Sequence, residues 1–146
     1  MNFEQFTPEA NEFIKRVAAE LDPPGNTDEA YRVTVAVFHT LREMLMPEES
    51  LHLIAQLPLL VKALYVHGWT MHKEPRIKTM PDFIARLRSA AGRSAEADFL
   101  DDNDAKEKAQ AVLKVVKMYV TPGETEDILS QVPPELLELW ATQITS

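Results

Sequence analysis

The segment Tyr65-Val66-His67-Gly68-Trp69-Thr70-Met71-His72 gathers two of the four histidines and one of the two tryptophans around a glycine. Aromatic rings with a polar tip suit contact with a ligand or a partner, which makes Tyr65, His67, Trp69 and Met71 the candidate contact residues. The plainer reading is that Gly68 ends a helix in the left-handed conformation and Trp69 covers the core beside it. The rest of the chain offers little chemistry. There is no cysteine, so thiolate nucleophiles, thiolate metal sites and disulfides are excluded together. No glycine-rich phosphate loop or nucleophile elbow occurs. Ser50, Ser89, Ser94, Ser130 and Ser146 lie in polar or helix-start contexts without a partnered histidine. His67 and His72 are five apart, unlike the i, i+4 pair that sets two imidazoles on one helical face. His39 and His52 meet them only if the fold brings them together. The pairs Glu48-Glu49 and Asp101-Asp102 are ordinary at helix starts, where carboxylates favour the positive end of the dipole. The sequence therefore names no catalytic residue, no cofactor and no metal site. A constellation drawn from Glu43, His39 or His67 across the fold is invisible to spacing.

Charge narrows the partners. The chain of 146 residues has a net charge of −8, and an acidic surface repels phosphate backbones and anionic lipid. Neither nucleic acid nor membrane is expected as a partner. Residues 1–66 carry 5 basic and 10 acidic side chains, and residues 81–146 carry 7 and 12. Between them, 67–80 holds Lys73, Arg76 and Lys78 against Glu74, a mildly basic connector expected to be a solvated linker. The acidic start Met1-Asn2-Phe3-Glu4 is no secretory signal, no apolar run reaches the ~18 residues of a membrane span, and a cytoplasmic home is expected.

The elements that must position these residues come in two sets. At an offset of 75, Pro47, Glu49, Gln56, Pro58 and Leu64 meet Pro122, Glu124, Gln131, Pro133 and Leu139. Upstream, Ala30, Val37, Phe38, Leu41 and Leu45 meet Ala105, Val112, Leu113, Val116 and Val120. Near the start of each half the offset falls to 70, pairing Phe13-Ile14 with Phe83-Ile84. The five extra residues of the second half belong in the polar stretch from Gly92 to Asn103. Ala30, Thr34, Val37, Phe38, Leu41 and Leu45 fall on one face of a 3.6-residue helix, and Ala105, Ala109, Val112, Leu113, Val116 and Val120 repeat the spacing. The fold class expected is all-α, with two tandem pseudo-symmetric four-helix repeats, 8–66 and 81–144, joined by 67–80. A unit of roughly 60 residues is marginal alone, so the copies should share one core including Phe13, Val37, Leu41, Phe83, Val112 and Val116.

Punctuation sharpens the map. Thr7-Pro8 suits an N-cap with proline at the first helical position. Asp22-Pro23-Pro24-Gly25 ends the first helix. Asn26 with Glu29, and Thr121 with Glu124, have capping-box spacing. Pro58 and Pro133 read as first-position prolines of short helices. The helices expected are 8–21, 28–45, 48–56, 58–66, 81–91, 103–120, 122–131 and 133–144.

The run Gln56-Leu57-Pro58-Leu59-Leu60-Val61-Lys62-Ala63-Leu64-Tyr65, closed by Gly68-Trp69, resembles the bacterial family of domain of unknown function 2267. Pro122-Gly123-Glu124, Gln131-Val132-Pro133 and Leu136-Leu137-Glu138-Leu139 are similar to that family's closing segment, and the resemblance runs from about Asn11 to Trp140. It implies a compact two-repeat helical fold in a prokaryotic cytoplasm. It carries over no activity and no catalytic residue. Gly68-Trp69 follows the first copy alone, and Trp140 takes the place of Tyr65 in the second. The function expected is non-enzymatic: a module that self-associates or docks an unknown protein partner. Its patch would lie on 133–144, at Leu136, Leu137, Leu139, Trp140 and Ile144. The alternative is a small-molecule binder with a pocket at the seam between copies, lined by Tyr65, His67, Trp69 and Met71.

Overall fold

The computed structural model describes residues 2–71 and 74–140. Eight α-helices account for most of them: α1 Thr7–Glu20, α2 Thr27–Met44, α3 Pro47–Ile54, α4 Leu59–Val66, α5 Met80–Ala91, α6 Ala95–Asp98, α7 Asp102–Tyr119 and α8 Pro122–Leu129. Short 3-10 turns occupy Phe3–Phe6, Gly92–Ser94 and Pro134–Leu139. The described residues contain no strand. The fold is all-α.

Local signals explain most boundaries. Asn26 Oδ1 accepts the Glu29 N–H at 2.7 Å and opens α2, and Asp101 Oδ1 accepts the Asp104 N–H at 2.8 Å and opens α7. Such caps satisfy amide groups that a helix start leaves unpaired. Thr79 caps α5 in the same way. Gly68 follows α4 at φ 68°, a left-handed conformation that a side chain would disfavour, so the predicted helix stop is present.

Packing centres on the two long helices. α2 lies against α1, α4, α5 and α7, and α7 lies against α1 and α5. Phe13, Val37, Leu41, Phe83, Val112 and Val116 are all buried in the one hydrophobic cluster. Aromatic rings thread through it. Tyr119 meets Phe13 at 5.1 Å between centroids, Phe13 meets Phe38 at 6.1 Å, Phe38 meets Tyr65 at 5.4 Å, and Tyr65 meets the Trp69 edge at 6.0 Å. Tilted and edge contacts at these separations are the favourable ones for aromatic quadrupoles.

Four expectations need correction. Pro58 and Pro133 sit at the N-cap, one residue before the helical turns they open. Each keeps an extended ψ, 148° and 142°, while its carbonyl accepts the first turn's N–H, from Lys62 and from Leu136. The expected helix 133–144 is a 3-10 turn over Pro134–Leu139, and its last four residues fall outside the described ones. There Leu136, Leu139 and Trp140 are buried and Leu137 alone of the four is exposed, so this segment's apolar side faces the core. The connector is not wholly solvated, because Ile77 is buried in the core cluster. Finally, the polar stretch after α5 folds into a 3-10 turn and α6, with Asp98 and Phe99 buried.

Candidate functional site

Two short helices carry the site. α3 and α8 both begin with a proline, whose missing N–H costs nothing at that position. Both place a glutamate third, Glu49 and Glu124. In a capping box such a glutamate reaches back to the N–H of the N-cap residue. Thr121 completes half of the box, its Oγ1 accepting the Glu124 N–H at 3.1 Å. The return bond is taken by another residue. Gln56 Oε1 accepts the Thr121 N–H at 2.8 Å. In the same manner Gln131 Oε1 accepts the N–H of Met46, the N-cap of α3, at 2.8 Å. Each glutamine, from just beyond one short helix, caps the other.

The glutamates are thereby released from local duty and meet where α3 packs on α8. Glu49 is 7% and Glu124 6% exposed. Gln131 Nε2 approaches Glu49 Oε1 at 3.4 Å. Neither Glu49 Oε2 nor Glu124 Oε2 receives a hydrogen bond, a costly state for buried oxygens. Burial pushes the Glu124 carboxyl up, Glu49 adds to this as acceptor of its proton and as a like charge, and Asp127 contributes a further charge; together they raise it to about 8. On the open side stands His52, exposed, one turn along α3 from Glu49. One donor atom each from Glu49, His52 and Glu124 lie within 4.8 Å of one another.

Of the four residues named at the seam, Tyr65 and Trp69 meet ring to ring, and His67 and Met71 are exposed. Tyr65 is fully enclosed, its hydroxyl 2.6 Å from Ser50 Oγ, and burial drives its pKa far above the ordinary tyrosine value. Trp69 is half-buried against Tyr65, and Arg42 lies over its ring at 5.8 Å. The same guanidinium ties down the end of α4, donating to the Tyr65 and His67 carbonyls at 2.9 and 2.7 Å. His67 and Met71 face outward; His72 lies outside the described residues. His39 packs beside them with Nε2 3.0 Å from the Leu64 carbonyl, and burial with Arg42 nearby lowers its pKa. A shallow groove of about 320 Å³ is lined by Pro75, Arg76, Asp82, Ala85, Arg86 and Ser89, none of them a seam residue.

Sequence reasoning takes Glu49 as an ordinary helix-start carboxylate and Glu124 as half of a capping box, and spacing alone does not bring His52 to either. The usable signal was polar identity at a single offset. Glu49 with Glu124 and Gln56 with Gln131 match at offset 75, where amphipathic helices need preserve only apolar type. A second buried charge was also missed. Asp98, 2% exposed, accepts from Arg32 Nε and Nη2, both at 2.9 Å, and its carbonyl accepts from Lys108 Nζ.

No helix among the described residues is long and apolar enough to cross a membrane. A search of curated proteins found no match. The family model described as "Uncharacterized conserved protein (DUF2267)" matches residues 10–139, a span that takes in both α3 and α8 and the glutamines that cap them. The chain belongs to the DUF2267 family.

Proposed function

We propose that this chain is a non-enzymatic helical module acting by contact in the cytoplasm, and that its contact is with a second copy of itself. Its plan is two tandem copies, 8–66 and 81–144, joined by 67–80. The observation that carries the contact reading is the outer face of α4. Leu59, Leu60 and Val66 are exposed there, with exposed Ala63 between them, at i, i+1, i+4 and i+7, positions that share one side of a helix. Lys62 is the one charged residue of this helix. On a chain of net charge −8, such a neutral strip is where two copies approach with least repulsion. Exposed His67 and Met71 and half-buried Trp69 follow α4 in the chain, and Trp69 packs on enclosed Tyr65. Apolar surface of this kind marks interaction sites more often than isolated exposed leucines do.

Light scattering after size exclusion, over a hundredfold range of concentration, tests this reading. A mass rising toward twice 16.5 kDa supports it. A strict monomer throughout, with no partner retained from lysate, overturns it.

A further inference from the structure

We infer that Glu49, His52 and Glu124 form a binding site for one divalent transition-metal ion, which clamps α3 to α8. The inference does not rest on the contact reading, since α4's outer face takes no part in it.

Four observations support it. First, the donor set is mixed, two carboxylates and one imidazole, and all three donor atoms fall within 4.8 Å of one another. Carboxylate with imidazole suits Zn²⁺, Fe²⁺ or Mn²⁺ better than the all-oxygen sets preferred by Ca²⁺ and Mg²⁺. Second, Glu49 and Glu124 are each more than nine-tenths buried, and each has an Oε2 that no donor of the chain satisfies. Buried carboxylate oxygens ordinarily find a cation or an N–H; these two Oε2 atoms find neither, and Gln131 reaches Glu49 only at its other oxygen. Third, the geometry that leaves them so is built. The N-cap amides of Met46 and Thr121, which a third-position glutamate usually serves, are held instead by Gln131 and Gln56. Fourth, Glu49 and His52 are three apart on α3, so both project on one face, and exposed His52 provides the route in from solvent.

The dimensions are compatible. Ligand atoms about 2.0–2.2 Å from a zinc ion stand roughly 3.4 Å apart in a tetrahedron, so donor atoms within 4.8 Å of one another need close by no more than about 1.4 Å. His52, exposed on the surface, is the ligand with room to adjust. Three protein ligands leave a fourth position for water. Binding would displace the proton that Glu124 shares with Glu49, and the ion would neutralise both carboxylates and join helices from the two halves of the chain.

The test uses the full chain stripped with a chelator and then titrated with ZnCl₂ by calorimetry, with Co²⁺ absorption as a report on coordination. The expected result is one Zn²⁺ per chain, a higher melting temperature with Zn²⁺, and a visible Co²⁺ band of low-coordinate type. Glu49→Gln and Glu124→Gln, near-isosteric, should each weaken binding at least tenfold. His52→Ala, a surface change that leaves the core untouched, should weaken it several-fold and shift the Co²⁺ band, which keeps the test decisive even where a glutamine variant folds poorly. No binding to the wild-type chain, or binding that all three substitutions leave unaltered, overturns the inference.

Discussion

Glu49 and Glu124 occupy the same position, the third residue, of two eight-residue helices that pack on one another, and each keeps one oxygen without a hydrogen-bond partner. Helix dipoles favour negative charge at both sites. For Glu124, burial and the neighbouring carboxylates outweigh that favour and raise its pKa.

A carboxyl with a raised folded pKa binds its proton more tightly folded than unfolded, so it stabilises the fold at low pH and loses that contribution as pH rises. In metal-free buffer, unfolding free energy should fall from near pH 4.5, the ordinary glutamate value, to about 8. One proton allows a slope of about 1.4 kcal/mol per pH unit at most. The groups facing Glu124 are Glu49 and His52 from α3 and Asp127 from its own helix. Because His52 faces the same carboxyl, urea melts of Glu124→Gln are best compared in a His52→Ala background. The slope should flatten there; an unchanged slope would mean another group is responsible.

Gln131 makes two contacts, to the Met46 N–H and to Glu49, whereas Gln56 is recorded in one, to the Thr121 N–H. Replacing either by alanine should cost about 0.5–1.5 kcal/mol per lost bond, with Gln131→Ala the larger loss. Urea denaturation of the two variants side by side checks the order.

Asp98 joins α6 to α2 through Arg32 and to α7 through Lys108. Burial raises its pKa, yet the Arg32 hydrogen bonds, Ser94 and the charges of Arg32 and Lys108 prevail and hold it below the usual value. The sign is opposite to that of Glu124: its stabilisation is present above the ordinary aspartate range and is lost as pH falls through the lower folded pKa. Asp98→Asn should destabilise at neutral pH by about 1–3 kcal/mol, less than a fully buried pair because Arg32 is half exposed. The gap between variant and wild type should shrink in acid.

Tyr65 and Ser50 share a 2.6 Å hydrogen bond inside the core. Tyr65→Phe should cost about 1–2 kcal/mol by stranding the serine hydroxyl, and Ser50→Ala in the same chain should recover part of it. The double-mutant cycle reads the coupling directly. If Tyr65→Phe is neutral, the hydroxyl has no structural role.

Leu59→Glu with Leu60→Glu places two charges on the outer stripe of α4 without touching the core. Light scattering should then report the monomer at concentrations where the unmodified chain pairs, with far-UV circular dichroism unchanged. Persisting association would move the contact elsewhere.

Much of the architecture was legible in the chain. The spacing from Ala30 to Leu45 and from Ala105 to Val120 places α2 and α7 within a residue of their observed limits, because a helical face repeats every 3.6 residues whatever it packs against. The caps at Asn26, Asp101 and Thr121 are likewise local, a side chain meeting an amide three residues on. Asp98 was unreadable, since the partner that makes its burial tolerable lies 66 residues away.

What the sequence by itself determined is seven of the eight α-helices, their apolar faces and the matched positions Glu49 with Glu124 and Gln56 with Gln131. Only the tertiary structure decided that the matched glutamines exchange helix caps and that the matched glutamates meet out of water. The reason is physical: propensity, periodicity and capping act over a few residues, whereas the cost of burying a carboxylate depends on what a distant part of the chain brings beside it.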